Sequence, residues 1–285
     1  MKQGEGVRDQ LSYSAGLVRS GDHDRFLTAL FAAEPAREHL FVLYAFNLEI
    51  ARIRDMVSEP LLGEIRLQWW REGIEAIYTG QAVRAHPVLQ ALKGLIRQCM
   101  LPRQLFDVLI DAHAGDFAAM PPVSMMALEA YADATSAGLM RLALAITDGA
   151  APDAAIRHAG LAWGLTGLLR SVGFHASRQQ IFLPSDLMQA EGLTPEAVFA
   201  YNKCPELRRV MLALAGHAQS HLDKMRKVLS APSRQVLPAL LPVTLAQTYL
   251  KQILRPDHDP FLAQDPTPAF QRQTRLVWAM VRRRL

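Results

Sequence analysis

The chain has 285 residues, of which 50% are hydrophobic and 20% charged, enough to bury a sizeable core in one large domain or two small ones. Two cysteines exclude a disulfide framework, and the lack of any window of about 18 uncharged apolar residues predicts no membrane span. The net charge of +4 is mild, and no basic stripe is interleaved with aromatic residues, so the sequence does not indicate nucleic-acid binding.

No low-complexity segment or Gly/Ser linker divides the chain, so we expect one domain over residues 1–285. The first ten residues, MKQGEGVRDQ, lack the apolar core of a signal peptide, and the few cysteines fit a reducing compartment. A cytoplasmic location is therefore predicted, with peripheral contact at the inner membrane as a further expectation.

Apolar residues recur at helical spacing along the chain, and no alternation of period two persists. Caps, glycines and prolines set the expected boundaries. In chain order, the predicted helices are two short ones within residues 8–33, broken at Ser20-Gly21-Asp22, then Pro35–Val57, 61–79, His86–Met100, Pro102–Ala119, Leu128–Thr147, one ending at Gly173, a short one from Thr194, Glu206–Leu229, Pro232–Leu254 kinked at Pro238 and Pro242, and Ala269–Arg284. This pattern predicts an all-α protein.

The stretch 158–184, HAGLAWGLTGLLRSVGFHASRQQIFLP, is the one around which the rest is organised. It begins as an apolar helix that Gly173 is expected to stop, and it continues as a polar loop into Ile181–Pro184. Glycines dotted along a helix permit close approach, so this face predicts contact with either another helix or a ligand.

Four segments, in order, resemble the squalene/phytoene synthase family. They are LYAFNLEIARIRD (43–55), RLQWWREGIEAIY (66–78), the segment that starts at Tyr131, and the stretch 158–184. The resemblance covers almost the whole chain and implies the all-α isoprenoid-synthase fold, with a central cavity lined by helices. It also implies chemistry on two prenyl diphosphates with Mg²⁺, a hard cation held in that family by two pairs of aspartates.

The family's aspartate positions are mostly changed here. Ala51 and Asp55 stand at the first pair, with Arg52 where the family has a further aspartate, and Ser171 and His175 stand at the second pair. The other family positions are Tyr44, Tyr131 and Arg170, which are retained, and Leu48, Gly164, Gly167 and Gln180, which are changed from arginine, glutamine, asparagine and arginine respectively. Losing three of four carboxylates is hard to reconcile with a magnesium–diphosphate cluster.

The segment RDMVSEPLLGEIRLQWWREGIEAIY (54–78) resembles one branch of the family, which contains a mitochondrial assembly factor of respiratory complex I and its bacterial relatives. The resemblance implies a catalytically degenerate protein that acts by binding in the biogenesis of NADH:ubiquinone oxidoreductase. Its expected partner is a respiratory-complex subunit or assembly intermediate, with an isoprenoid or lipid in the cavity. No cofactor is expected.

Two alternatives stay open. The first is an active, Mg-dependent farnesyl or geranylgeranyl diphosphate transferase of the squalene or phytoene synthase type. In that case Asp55 would be a metal ligand, and replacement carboxylates would be needed, with Glu49 and Asp116 the nearest candidates by sequence. The second is a lipid or quinone carrier that uses the cavity without chemistry, which a cavity packed shut by aromatic side chains would contradict.

Aromatic and basic residues near these motifs have simpler interpretations as well. Trp69 and Trp70 are predicted to be core residues rather than cavity lining, because aromatics at helical spacing are more often core. Arg52 is expected to pair with Asp55 or another carboxylate, with anion binding as the second interpretation.

Three other sets of polar residues have interpretations that involve no catalytic or metal site. Asp111, His113 and Asp116 are predicted to form a solvated polar helix face rather than a metal site. His175 is predicted to be a loop histidine hydrogen-bonded to backbone rather than part of a hydrolytic site. The arginines 282–284 are interpreted either as a solvated helix end or as a contact with anionic lipid or a partner.

Overall fold

The computed structural model describes residues 11–117, 120–262 and 267–285, and this part of the chain contains no strand. The helices, numbered in chain order, are α1 (Tyr13–Gly21), α2 (His23–Ala29), α3 (Ala36–Ala51), α4 (Ile53–Met56), α5 (Pro60–Thr79), α6 (Pro87–Cys99), α7 (Arg103–Ala114), α8 (Met125–Ala132), α9 (Gly138–Ile146), α10 (Asp153–Arg170), α11 (Val172–Ser177), α12 (Ser185–Glu191), α13 (Pro195–Phe199), α14 (Pro205–Val228), α15 (Leu237–Leu240), α16 (Pro242–Ile253) and α17 (Ala269–Arg282). The prediction of an all-α protein is confirmed.

Local sequence signals explain several helix ends. The Ser12 hydroxyl accepts a hydrogen bond from the Ala15 N–H at 3.1 Å and caps α1, and the Asp22 carboxylate caps α2 in the same way. Proline occupies the first turn of α5, α6 and α14, where its missing N–H costs no hydrogen bond. Gly80 follows α5 in the left-handed conformation (φ 75°), which glycine adopts without steric cost. No helix in the described ranges is both long and apolar enough to cross a bilayer.

Helix α10 runs through the middle of the core. It packs against α14, α16 and the π-helical segment Asp133–Ala137, which joins α8 to α9. Ala159, Ala162 and Leu165 of α10 are fully buried, and one continuous cluster of buried apolar side chains extends along the described chain. Helix α10 therefore fixes the positions of the elements around it.

Glycines set how closely α10 approaches its neighbours. A Cβ atom at Gly160 would lie 2.3 Å from the Ala137 Cα, and one at Gly164 would lie 2.8 Å from the Ser136 Oγ. At Gly167, by contrast, a Cβ would have no neighbour within 4 Å. The glycine-dotted face thus meets another helical segment at its first two glycines and open space at the third.

Two helices predicted as continuous are divided. The helix expected over Pro35–Val57 ends at Ala51, and α4 begins after Arg52, which leaves Ile53 buried in the core. The helix expected over Leu128–Thr147 is split by the π-helical segment, and α8 begins three residues earlier than predicted, at Met125. Sequence periodicity does not reveal either break, because apolar spacing continues across both.

The π-helical segment is held in place by ion pairs as well as by packing. The Asp133 carboxylate accepts hydrogen bonds from Arg141 Nη1 and Arg157 Nε, each at 2.9 Å. Arg157 belongs to α10, so this bridge joins the segment to the central helix.

The expectation that Gly173 stops the helix is wrong. Helix α10 ends at Arg170, and Gly173 lies inside α11, in a span predicted to be a polar loop. A Cβ at Gly173 would lie 2.8 Å from the Pro260 carbonyl oxygen, so glycine permits a close backbone approach here instead of ending a helix. Helix α12 was also not predicted, and the kinked helix expected over Pro232–Leu254 is instead the two helices α15 and α16. Predicted positions 8–10, 118–119 and 263–266 lie outside the described residues.

Candidate functional site

A cavity of about 530 Å³ lies among α2, α3, α10, α11, α17 and the π-helical segment. Many of the family positions line it: Ala51, Tyr131, Gly164, Gly167, Arg170, Ser171 and His175. The predicted central cavity is therefore present, and part of its wall comes from the segments that resemble the synthases.

Asp24 is the most heavily bonded carboxylate in the cavity wall. It is 7% exposed and accepts hydrogen bonds from the Tyr249 hydroxyl at 2.7 Å and from Arg272 Nη1 at 2.6 Å. A third donor, Arg170 Nη1, lies 3.5 Å away, and its guanidinium stacks on the Tyr249 ring. Burial, followed by the adjacent Asp24 carboxylate, raises the pKa of Tyr249, so this hydroxyl stays a hydrogen-bond donor. Asp24 thus faces two cations in addition to a neutral donor.

Asp22 is neutralised as well. One oxygen of its carboxylate accepts from the Arg25 N–H at 3.0 Å, and the other pairs with Arg25 Nη1 at 2.6 Å. The Arg25 guanidinium also lies over the rings of Tyr44 (5.8 Å) and Trp163 (5.7 Å). Among the residues that line the cavity, three arginines outnumber the two aspartates, and both carboxylates have cationic partners.

The one retained family aspartate has a cationic partner of its own. Asp55 of α4 pairs at 3.3 Å with Nη1 of Arg178, the residue that follows α11. The expected pairing of Arg52 with Asp55 is therefore wrong. The Arg52 guanidinium instead lies against Gly21, where an added Cβ would be 2.6 Å from Nη2, and it has no ion pair within the described chain. Anion binding by Arg52 stays a prediction.

Three other family positions lie behind the cavity wall. Tyr44 is buried, and burial raises the pKa of its hydroxyl strongly. Leu48 is also buried, and its Cδ2 lies 2.3 Å from where a Cβ at Gly21 would be placed. Gln180 donates a hydrogen bond from Nε2 to the Asp116 carbonyl at 3.1 Å. The side chains at these positions support the fold around the cavity.

The prediction of a solvated face at Asp111, His113 and Asp116 is wrong for two of the three residues. His113 and Asp116 are buried, and His113 Nδ1 lies 2.6 Å from the Asp116 carboxylate. The two residues are three apart in the sequence, across the end of α7 and the 3₁₀ turn that follows it, so they lie on the same side of the helical segment. Asp111 is exposed and pairs with Arg71 at 2.7 Å. Burial, followed by Asp116, raises the pKa of Tyr131 well above its usual range.

His175 lies at the cavity wall on a helix rather than in a loop. Its ring lies against that of Phe182, tilted by 49° with the centroids 4.6 Å apart, and in the described chain its side chain makes no hydrogen bond to the backbone. The expected backbone hydrogen bond of the imidazole is therefore wrong. Burial lowers the pKa of His175 to about 4, although Asp116 opposes the shift. The imidazole is neutral at pH 7, and its contribution to stability is lost as the pH falls from 6.5 towards 4.

The aromatic side chains that could have closed the cavity lie elsewhere. Trp70 is buried and packs edge-on against Phe46 at 5.4 Å, as expected of a core residue. Trp69 is partly buried and packs against Trp70 and His86. Phe174 is 48% exposed. None of these three belongs to the cavity lining, so they leave the cavity open.

The residues present do not fit a magnesium–diphosphate site. In the described ranges, no three Asp, Glu, His or Cys side chains converge as metal ligands. Asp116 is paired with His113, and neither it nor Glu49 contributes to the cavity lining. Magnesium requires carboxylate oxygens free to bind it, and the carboxylates of Asp22, Asp24 and Asp55 are already paired with arginines.

Sequence reasoning missed the network around Asp24. Tyr249 and Arg272 are more than two hundred residues away along the chain, and no local pattern links them. One signal was available, because Asp24 shares a helix face with Leu27 and Thr28, which are buried. A charged residue on an apolar helix face needs a partner of opposite charge. Arg272 is also such a residue, because it shares a helix face with the buried Leu276.

Comparison with known proteins shows the family and the fold. The squalene/phytoene synthase family model matches residues 18–282, and the chain belongs to this family. It is 30% identical over 260 residues to NADH dehydrogenase (ubiquinone) complex I, assembly factor 6 of Rattus norvegicus, covering 90% of this chain and 78% of that protein. It is 28% identical over 211 residues to the presqualene diphosphate synthase of Rhodopseudomonas palustris, covering 72% and 74%.

A solved structure confirms the fold class. A dehydrosqualene synthase in complex with ligand superposes with a TM-score of 0.80 and 17% identity, covering 95% of each chain. At this identity the likeness concerns the fold alone, and it agrees with the isoprenoid-synthase fold expected from the sequence.

Proposed function

We propose that this chain is a catalytically inactive member of the squalene/phytoene synthase family that acts by binding, in the biogenesis of respiratory complex I. The observation that carries the proposal is the pairing of the cavity carboxylates Asp22 and Asp24 with arginines. Similarity to a complex I assembly factor over 90% of the chain supports the cellular role. The partner would be a subunit or assembly intermediate of the complex.

The loss of prenyl transfer follows from charge. Ionising a prenyl diphosphate requires metal ions that bridge protein carboxylates to the leaving group. Binding Mg²⁺ at Asp24 would displace Arg272 and Arg170 from their carboxylate and leave two cations unpaired in a largely buried site. Elsewhere in the cavity lining, Ser171 and the neutral His175 stand where the family has aspartates.

We propose that the cavity nevertheless holds an isoprenoid or lipid. Its volume of about 530 Å³ lies in the range of small-molecule sites, and Gly167 leaves space free on the α10 wall. The arginines at the wall would face the polar end of such a molecule, and the apolar part would lie along α10. In this role the cavity serves binding without chemistry.

Complementation tests the proposal. Rat cells that lack assembly factor 6 and express this chain in their mitochondria are expected to regain complex I activity, as are the same cells given back the rat factor. The presqualene diphosphate synthase of Rhodopseudomonas palustris, expressed in the same way, is the matched control and is expected to fail. A Gly167→Phe variant, which fills the cavity, tests whether the occupant is needed. No rescue by the folded, imported wild-type chain would contradict the role in complex I biogenesis.

A further inference from the structure

Helix α17 carries two apolar faces on opposite sides. Leu276 and Ala279 are buried against the rest of the fold, and the partly buried Met280 packs beside them. The opposite side is apolar too, although it has no cover in the described chain. Its exposed side chains are Phe270 (73%), Val277 (50%), Trp278 (56%) and Val281 (72%).

The four exposed side chains lie on one stripe of the helix, with the exposed Thr274 among them. Phe270, Val277 and Val281 are spaced by seven and four residues, so they follow one line along the helix, and Trp278 lies beside it. At about 100° per residue, the stripe spans roughly 100° of the helix circumference. An exposed apolar stripe of this kind on a helix whose other face is already buried requires a specific explanation.

The charge around the stripe has one sign. Residues 269–285 contain five arginines and no acidic residue. Two of them are used within the fold, since Arg272 pairs with Asp24 and Arg275 donates to the Thr248 hydroxyl at 2.7 Å. The remaining three, residues 282–284, are exposed and have no ion pair in the described ranges. The Arg282 guanidinium lies over the Trp278 ring at 3.9 Å, so cation and apolar stripe are contiguous.

The apolar surface continues beyond the helix. A groove of about 490 Å³ adjoins Val281 and Met280 and is bordered by Phe31 and Pro238. Its lining contains one arginine, Arg234, and no acidic residue. The stripe and groove together form a surface, here called the α17 face, that is apolar in the middle and positive at its edge.

We propose that the α17 face docks on the surface of a bilayer that contains anionic lipids. Trp and Phe side chains enter the boundary between headgroups and acyl chains, and arginines beside them attract lipid phosphates. The absence of acidic groups from the α17 segment matches a uniformly negative surface, whereas protein surfaces present mixed charges. Docking would hold the protein at a membrane without a spanning helix, and the inference does not depend on the role in complex I.

Vesicle sedimentation tests the electrostatic part. The full chain is expected to bind vesicles of phosphatidylcholine mixed with phosphatidylglycerol, to bind pure phosphatidylcholine vesicles more weakly, and to dissociate as salt is raised. Replacing the arginines 282–284 with glutamine is expected to lower affinity for the mixed vesicles on the order of a hundredfold. The matched control replaces three other exposed arginines with glutamine, which gives the same change in net charge: Arg19, Arg66 and Arg97.

Tryptophan fluorescence tests the apolar part. Trp278 is the only tryptophan of the described chain among the exposed hydrophobic residues, so brominated lipids should quench mainly its emission. A Trp278→Ser variant is expected to lose on the order of tenfold in affinity, whereas Trp278→Phe keeps binding and loses the quenching. Failure of the wild type to bind mixed vesicles, an equal loss in the arginine control, or unchanged quenching in Trp278→Phe would each overturn the proposal. The first result would indicate a protein partner for this face.

Discussion

Replacing Asp24 with asparagine is expected to lower the free energy of unfolding by about 3 to 5 kcal/mol. The change keeps the size of the side chain but removes its charge, so Arg272 and Arg170 lose their common carboxylate in a largely buried site. Because Arg272 lies on α17 and Asp24 on α2, the loss should also loosen the C-terminal helix. Chemical denaturation of the two proteins at neutral pH measures the difference.

The matched control is Asp111→Asn. This residue also pairs with an arginine, Arg71, at 2.7 Å, but 64% of its side chain is exposed. Surface ion pairs contribute little to stability, so Asp111→Asn should lower the free energy of unfolding by less than about 1 kcal/mol. Equal effects of the two substitutions would contradict the description of Asp24 as a buried carboxylate that neutralises two cations.

Opposite results are expected at two glycines of α10. Gly160→Ala should destabilise the fold by about 3 kcal/mol, because the new Cβ would lie 2.3 Å from the Ala137 Cα and backbone must move. Gly167→Ala should stabilise it by up to about 1 kcal/mol, because the Cβ meets nothing within 4 Å and alanine favours the helix.

Thermal and denaturant unfolding of both glycine variants measures this contrast in one helix. The comparison reduces the influence of helix propensity, since both positions lie within α10. A destabilised Gly167→Ala or a stabilised Gly160→Ala would contradict the placement of α10 against the π-helical segment on one side and the open cavity on the other.

Much of the fold was predictable from the sequence because it depends on local signals. Helical spacing of apolar residues, prolines in first turns and Gly80 after α5 gave the order and approximate position of most helices, although not their number. The family resemblance placed Ala51, Ser171 and His175 in one cavity, and the structure brings them together. The spaced glycines of α10 correctly indicated that another element approaches this helix closely. They did not indicate which glycine faces a helical segment and which faces the cavity.

The remainder depends on contacts that sequence position does not encode. Arg178 is 123 residues from Asp55, and the sequence offered the nearer Arg52 as a partner instead. The break before α4 depends on tertiary packing. The π-helical segment depends on packing and on the ion pair between Asp133 and Arg157. Apolar periodicity continues across both and does not reveal them. His113 and Asp116 are three residues apart and so share a side, but their burial depends on tertiary packing that local spacing does not show.

Prenyl-transfer turnover tests the central claim most directly. The purified, folded chain is incubated with farnesyl or geranylgeranyl diphosphate, Mg²⁺ and NADPH, and both diphosphate release and squalene- or phytoene-type products are measured. The Rhodopseudomonas palustris presqualene diphosphate synthase serves as the active control. We expect no release above the heat-denatured protein, because arginines hold the carboxylates that magnesium would need. Sustained turnover would contradict the account and show that these carboxylates exchange their arginines for metal ions.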